Sequence, residues 1–249
     1  MGCANSSSTQ TKAMGANNST PGGEEITLEY FADFYGRADQ IRFLLTKAGV
    51  NYNYSGLSQA EWGAVKGPGY GEFPFMPKLK VGKKEYGQSL AILRSQGVKY
   101  GFYDPKDAMS SYYADVILDG NADILNSTTG VLLGSVLPKG GKADEEDFAK
   151  VREIFKKAHA PTLNILVANM KAHGGKYAAG NKLSIADCAL VSSLANIWDN
   201  PASPLRATFQ ECLAGGDIVD KAALDKYFAT LRAEFGARLN DPKRTPKAG

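Results

Sequence analysis

Along the first hundred residues the apolar positions change period several times, and each change marks an element. Ile26, Leu28 and Tyr30 alternate with polar neighbours, the period of a half-buried strand, and Ala38, Ile41, Leu45 and Ala48 then recur at helical spacing up to Gly49. Residues 51–55 read as a second strand. Ser58, followed three positions later by Glu61, is a capping box that starts a short helix through Trp62 and Lys66. Residues 67–74 are rich in Gly and Pro and form a loop. Pro77 opens a third strand through Leu79 and Val81, Gly82-Lys83-Lys84 turns it, and Tyr86 lies on the return. Ser89 sits as the N-cap of a helix running to Tyr100, closed by Gly101 and weakened in its last turn by Gly97. The order is βαβ, then ββα.

From Asp104 onward the pattern is helical. One long helix is expected over residues 106–128 and another over 144–172, where Pro161 removes a backbone hydrogen bond and bends the rod. Leu163, Leu166, Val167 and Met170 mark its core face. Ser184 and Asp187 form a second capping box, leading a helix buried through Ile185, Ala189, Leu190 and Leu194; residues 225–239 supply the last amphipathic helix. An α/β unit over residues 25–102 is thus followed by an all-α unit over 103–240, with polar tails at 1–24 and 241–249.

Composition narrows the function classes. The chain has 249 residues, 43% hydrophobic and 22% charged, and a net charge of +3 without a long basic run, so a nucleic-acid partner is not expected. Cys3, Cys188 and Cys212 are too scattered for a disulfide framework, and with His159 and His173 as the only histidines no metal site is expected. A reducing compartment follows. No apolar run is long enough for a membrane span, and no apolar core follows Met1, so a secretory signal is not expected either.

The candidate chemistry begins at residues 76–92. The free N–H groups and dipole at the start of the helix near Gln88 and Ser89 favour a carboxylate or phosphate. The arrangement of a proline-led third strand, an α/β unit and an all-helical unit resembles the cytosolic glutathione transferases. The residues that carry the resemblance are Tyr30 at the end of the first strand, Trp62 and Lys66 four apart, Met76-Pro77, QSLAIL at 88–93, and GNKLSIADCAL at 180–190. It spans roughly residues 25–235 and looks most like the tyrosine-dependent, sigma-like class.

That resemblance implies a thioredoxin-like domain, a helical bundle, a homodimer, and glutathione as co-substrate with no metal. It implies that Tyr30 stabilises the thiolate. A thiol of pKa about 8.5 is only ~3% ionised at pH 7, and lowering it by about 2 units is worth ~2.7 kcal/mol. A phenol O–H aimed at the sulfur supplies part of this. Arg37 either tunes the thiolate or is a solvated arginine. Gln88 and Ser89 would hold the γ-glutamyl carboxylate, Met76 would present its backbone to the cysteinyl unit beside a cis bond to Pro77, and Trp62 and Lys66 would meet the glycyl end. Asp123 would reach the partner's glutathione, with Asp115 and Asp119 as rivals on adjacent turns. Phe34, Tyr35, Tyr113, Leu125 and Leu132 are candidates for the pocket of a small hydrophobic electrophile, or plain core.

The family's prostaglandin synthases have a tryptophan on the long helix where this chain has Gly130-Val131, which weighs against that isomerase activity. Peroxide reduction and a non-catalytic, membrane-tethered glutathione-binding protein are further alternatives. Thiol–disulfide exchange needs a cysteine at the first helix start, and residues 30–45 contain none; Cys188 reads as a small core residue.

The N-terminal MGCANS fits the N-myristoylation pattern, with Gly2 as acceptor, Ser6 at the required position and Cys3 as a second acyl site. A single myristoyl chain binds membranes only marginally, so stable anchoring of this cytoplasmic protein to a membrane surface depends on Cys3. Metabolic labelling should place fatty acid on the native protein, and Gly2→Ala should move it out of the membrane fraction; no label and unchanged fractionation would contradict this expectation.

Overall fold

The computed structural model describes residues 24–241 and Arg244, so Gly2, Cys3 and the rest of the N-terminal signal lie outside the described residues. Four strands, β1 (Ile26–Phe31), β2 (Asn53–Leu57), β3 (Lys78–Val81) and β4 (Lys84–Tyr86), form one sheet in the order β2-β1-β3-β4. β1 runs parallel to β2 and antiparallel to β3, with Leu28 opposite Leu79 and Glu29 opposite Lys78. Ile26, Leu28 and Tyr30 face inward while their neighbours on β1 face out. β2 begins two residues later than its sequence pattern suggested.

Helices α1 (Gly36–Lys47) and α3 (Ser89–Tyr100) pack on each other and share a core with the inward residues of β1 and β3, and α2 (Gln59–Val65) follows β2. The Ser58–Glu61 capping box forms as expected, with reciprocal bonds of 2.8 and 3.2 Å. Ser89 is the first helical residue rather than the cap. The cap is Gln88, held at φ +63, and no side chain caps α3. Gly97 has a packing reason that its helix propensity conceals: a Cβ there would lie 2.5 Å from Ile185 Cγ2 and 2.9 Å from the Tyr103 Cβ, so only a glycine lets α3 meet the helical unit.

The remaining helices are α4 (Ala108–Val131), α5 (Glu145–Ile154), α6 (Ala160–His173), α7 (Ile185–Ser193), α8 (Arg206–Ala214), α9 (Lys221–Glu234) and α10 (Gly236–Leu239). Asp107 caps α4, which continues through a π turn over Leu132–Val136, past its expected end. A second π turn, Phe155–His159, joins α5 to α6 immediately before Pro161; the wider turn accommodates the missing donor that predicted a bend there. α8 was not foreseen, and α9 starts four residues early because Asp220 accepts from the Ala223 N–H. In the second capping box, Asp187 is fully buried and accepts from the Ser184 and Ala178 N–H groups and the Tyr227 hydroxyl. Burial raises its pKa, and those donors partly offset the rise.

The two units share one core, and α1 packs on α7 across the seam. Asp39 on α1 is fully buried there, 2.5 Å from Arg238, 3.3 Å from Arg244, 3.8 Å from Arg42 and 2.8 Å from the Asn196 amide. Burial alone would raise its pKa, but the three guanidiniums and the amide outweigh it and hold the carboxyl at about 2. This cluster ties the first helix to the third π turn (Leu194–Trp198) and to the chain's C-terminal segment.

His159 is buried among aromatic rings, stacked on Phe209 at 5.1 Å. The Trp198 indole donates to its Nδ1 at 3.1 Å, which leaves the proton on Nε2, facing Thr128 Oγ1. Burial depresses its pKa to about 3, below the ordinary value of 6.5. Stability from the neutral ring is therefore full above pH 6.5 and is lost as pH falls toward 3. By pH 4 the loss should approach about 3 kcal/mol. Urea titrations at pH 7, 5 and 4 should show His159→Gln losing less stability with acid than the wild type; parallel losses would contradict this account.

Candidate active site

β1 delivers Tyr30 to the start of α1. Its hydroxyl accepts from the Arg37 N–H at 3.3 Å, and the ring is only 8% exposed. Gly36 makes this approach possible, since a Cβ at that position would lie 2.6 Å from the Tyr30 oxygen and the backbone has φ +36. Burial raises the Tyr30 pKa, while the Arg37 N–H and the charges of Arg37 and Arg42 pull it down; the net shift is upward. The phenol stays protonated at neutral pH. With a backbone N–H on its acceptor side, its own proton remains available to an anion in front of it.

Arg37 is half-buried, and its guanidinium donates to Asn126 Oδ1 on α4. It thus reaches across the seam between the two units, beside Tyr30. Sequence reasoning missed Asn126, because the contact spans 89 positions and nothing in the local pattern of α4 distinguishes it.

At the other end of the face, Gln88 is exposed at the uncapped start of α3 and Ser89 is 5% exposed. The first N–H groups of α3 therefore lack an intrahelical or side-chain acceptor, which is the arrangement that binds an anion. The loop before β3 packs close by: Glu72 accepts from the Gly87 N–H at 3.4 Å, and Phe73 lies against Gly87. The Met76–Pro77 bond is cis, as expected. Ladder pairing in β3 starts at Lys78, so Met76 lies outside it.

Trp62 stands edge-on between Phe31, at 6.1 Å, and Tyr70, at 4.9 Å. Lys66 is exposed at the end of α2. Of the three aspartates on α4, Arg94 holds Asp115 at 2.7 Å and Asp119 at 3.5 Å. Asp123 is exposed and makes no ion pair among the described residues.

The expected electrophile pocket is not assembled from the residues named for it. Phe34 packs on Phe31 at the Trp62 end, and the Tyr35 ring is turned onto Arg42 and Arg244 at 5.6 and 4.7 Å. Tyr113 lies against His173, about 20 Å along α4 from Asn126 at 1.5 Å per residue. Leu125 and Leu132 are 7% and 8% exposed and belong to the helical core. Helical spacing marks a buried face equally well whether it packs on protein or on ligand. Two surface grooves among the described residues, one of 390 Å³ between α4 and α5 and one of 510 Å³ on the outer face of the sheet, lie away from Tyr30.

Comparison with known proteins gives this geometry a family. Residues 138–221 match the model of the glutathione S-transferase C-terminal domain. Glutathione S-transferase alpha-5 of Rattus norvegicus is 31% identical over 171 residues, which is 68% of this chain and 73% of that protein. The chain belongs to the glutathione S-transferases, an enzyme family. Among solved structures, a monomeric glutathione S-transferase from the hookworm Necator americanus superposes with a TM-score of 0.70 at 23% identity, covering 89% of this chain and 98% of that one. The sigma class enzyme of Fasciola hepatica gives 0.66 at 24% identity, covering 90% and 99%. At those identities the two structures speak for the fold.

Proposed function

We propose that this transferase adds the glutathione thiolate to small hydrophobic electrophiles, with Tyr30 donating its hydroxyl proton as a hydrogen bond to the sulfur. The observation that carries this reading is the Tyr30 hydroxyl itself: buried, kept protonated, and held against the first turn of α1 with Arg37 and Arg42 near enough to favour negative charge in front of it. Glutathione lies along the edge of the sheet. Its γ-glutamyl carboxylate meets the uncapped start of α3 at Gln88 and Ser89, its cysteinyl unit runs beside Met76, and its glycyl carboxylate meets Lys66 and the Trp62 indole. Asp123 serves the γ-glutamyl amino group of the partner subunit in a homodimer.

The catalytic gain comes from two sources. Orientation of the thiol next to the electrophile removes entropy from the barrier, and hydrogen-bond donation lowers the thiol pKa so that more of the bound cofactor is nucleophilic at neutral pH. The bond made is sulfur to carbon; the electrophile's leaving group departs with its electron pair, or the addition product takes a proton from solvent. In the family setting the enzyme works in the cytoplasm, with Gly2 and Cys3 as acyl sites that tether it to a membrane face.

Tyr30→Phe should remain bound to a glutathione-affinity matrix. A hydrogen bond to a charged group is worth about 1.5–3 kcal/mol, so its turnover with an aryl halide at pH 7 should fall by roughly 10- to 100-fold and recover as pH rises and the thiol ionises unaided. Unchanged turnover at pH 7 would mean that another group activates the sulfur.

A further inference from the structure

Lys78 follows the cis proline, yet it is 7% exposed and lies on the outer face of the sheet, paired in the ladder with Glu29. A lysine is rarely buried unless its charge is met. Here the ammonium is 3.3 Å from Glu29 and 3.7 Å from Glu85, donates to the Tyr70 carbonyl at 2.7 Å, and sits 3.9 Å from the centre of the Tyr70 ring. The Tyr70 hydroxyl closes the loop by donating to the same Glu29 oxygen at 2.5 Å. One residue of the loop before β3 is therefore gripped at its carbonyl, its ring and its hydroxyl by a single cross-strand ion pair. Burial, reinforced by the Glu29 carboxylate, pushes the phenol's pKa far up, so this donor does not ionise.

The gripped ring has one outward contact of consequence, the edge-on packing against Trp62. No residue of α2 is buried, so the helix has little packing of its own to orient that indole. Phe31 on one side and Tyr70 on the other fix its plane.

We propose that Glu29, Lys78 and Tyr70 are positioning residues that clamp Trp62 and thereby set the part of the site that receives the glycyl end of glutathione. The inference rests on the glutathione reading above, and concerns residues that do not touch the reacting sulfur. A buried ion pair is a costly way to hold a loop, but removing one partner strands the other, so the loop has no cheap alternative position. Preorganisation of this kind shows as affinity for one end of the ligand rather than as a change in the chemical step.

Two readouts on the full chain separate the clamp from general damage. The protein has two tryptophans, and Trp198 is fully buried, so acrylamide quenching reports mainly on Trp62. Tyr70→Leu and Lys78→Met should each increase that quenching, while Tyr70→Phe, which keeps the ring, should increase it least; circular dichroism checks that each variant is folded, and Lys78→Met stands in if Tyr70→Leu is not. In turnover assays the same two variants should raise KM for glutathione about tenfold, equivalent to about 1.4 kcal/mol, leave kcat within about twofold, and leave KM for γ-glutamylcysteine, which lacks the glycine, unchanged.

Unchanged quenching in both folded variants would overturn the clamp whatever the kinetics. Increased quenching with equal KM shifts for both thiols would overturn the link to the glycyl end. A wild type that prefers neither thiol, or turns over neither, would remove the assignment of Trp62, and in the second case the glutathione reading with it.

Discussion

The proposed chemistry depends on one close approach, that of the Tyr30 hydroxyl to the first turn of α1. At 3.3 Å from the Arg37 N–H, the phenol oxygen lies where a side chain at residue 36 would otherwise be. Glycine at that position is thus a condition of the site. Burial keeps the donor protonated, because it outweighs that N–H and the arginines in setting the pKa. A hydroxyl that ionised at neutral pH would have no proton to offer the sulfur.

That approach is held in place by charges deeper in the seam. Asp39, one turn into α1, gathers Arg42, Arg238, Arg244 and Asn196, while Arg37 reaches Asn126 on α4. Breaking a buried cluster of this kind leaves unpaired charge in the core, so the relative placement of sheet and helices is stiffly specified. The outer face of the sheet repeats the strategy with Lys78 and Glu29 in place of an apolar pair. Two elements of the proposed site are thus backed by buried ion pairs: α1, whose first turn meets Tyr30, by that of Asp39, and Trp62, through Tyr70, by that of Lys78 and Glu29.

Much of this was legible in the residues. Ser58 with Glu61 and Ser184 with Asp187 announce helix starts because a capping box is a local, reciprocal hydrogen-bond pair that spacing alone identifies. The strand and helix order, the fold class and the placement of Tyr30 followed from periodicity and family motifs. Errors fell where a longer-range or conformational effect decides. Gln88 rather than Ser89 occupies the cap, in a left-handed conformation that glutamine rarely adopts, so composition pointed one residue too far. α8 escaped notice because only Thr208 and Phe209 are buried along it. Phe34, Tyr35, Tyr113, Leu125 and Leu132 could not be sorted between pocket and core, since an apolar face looks the same against either. Asn126, Arg244 and the Lys78 clamp depend on contacts between distant segments, which no local pattern encodes.

The family assignment rests on sequence relatives, and the account of reactivity rests on Tyr30. Its most direct test is the ionisation of glutathione on the enzyme. Titrating the ultraviolet absorbance of the bound thiolate gives the thiol pKa in the wild type and in Tyr30→Phe. The account predicts a wild-type value about 2 units below that of the free thiol, and a return toward the free value in the variant. Equal values in the two proteins would contradict it.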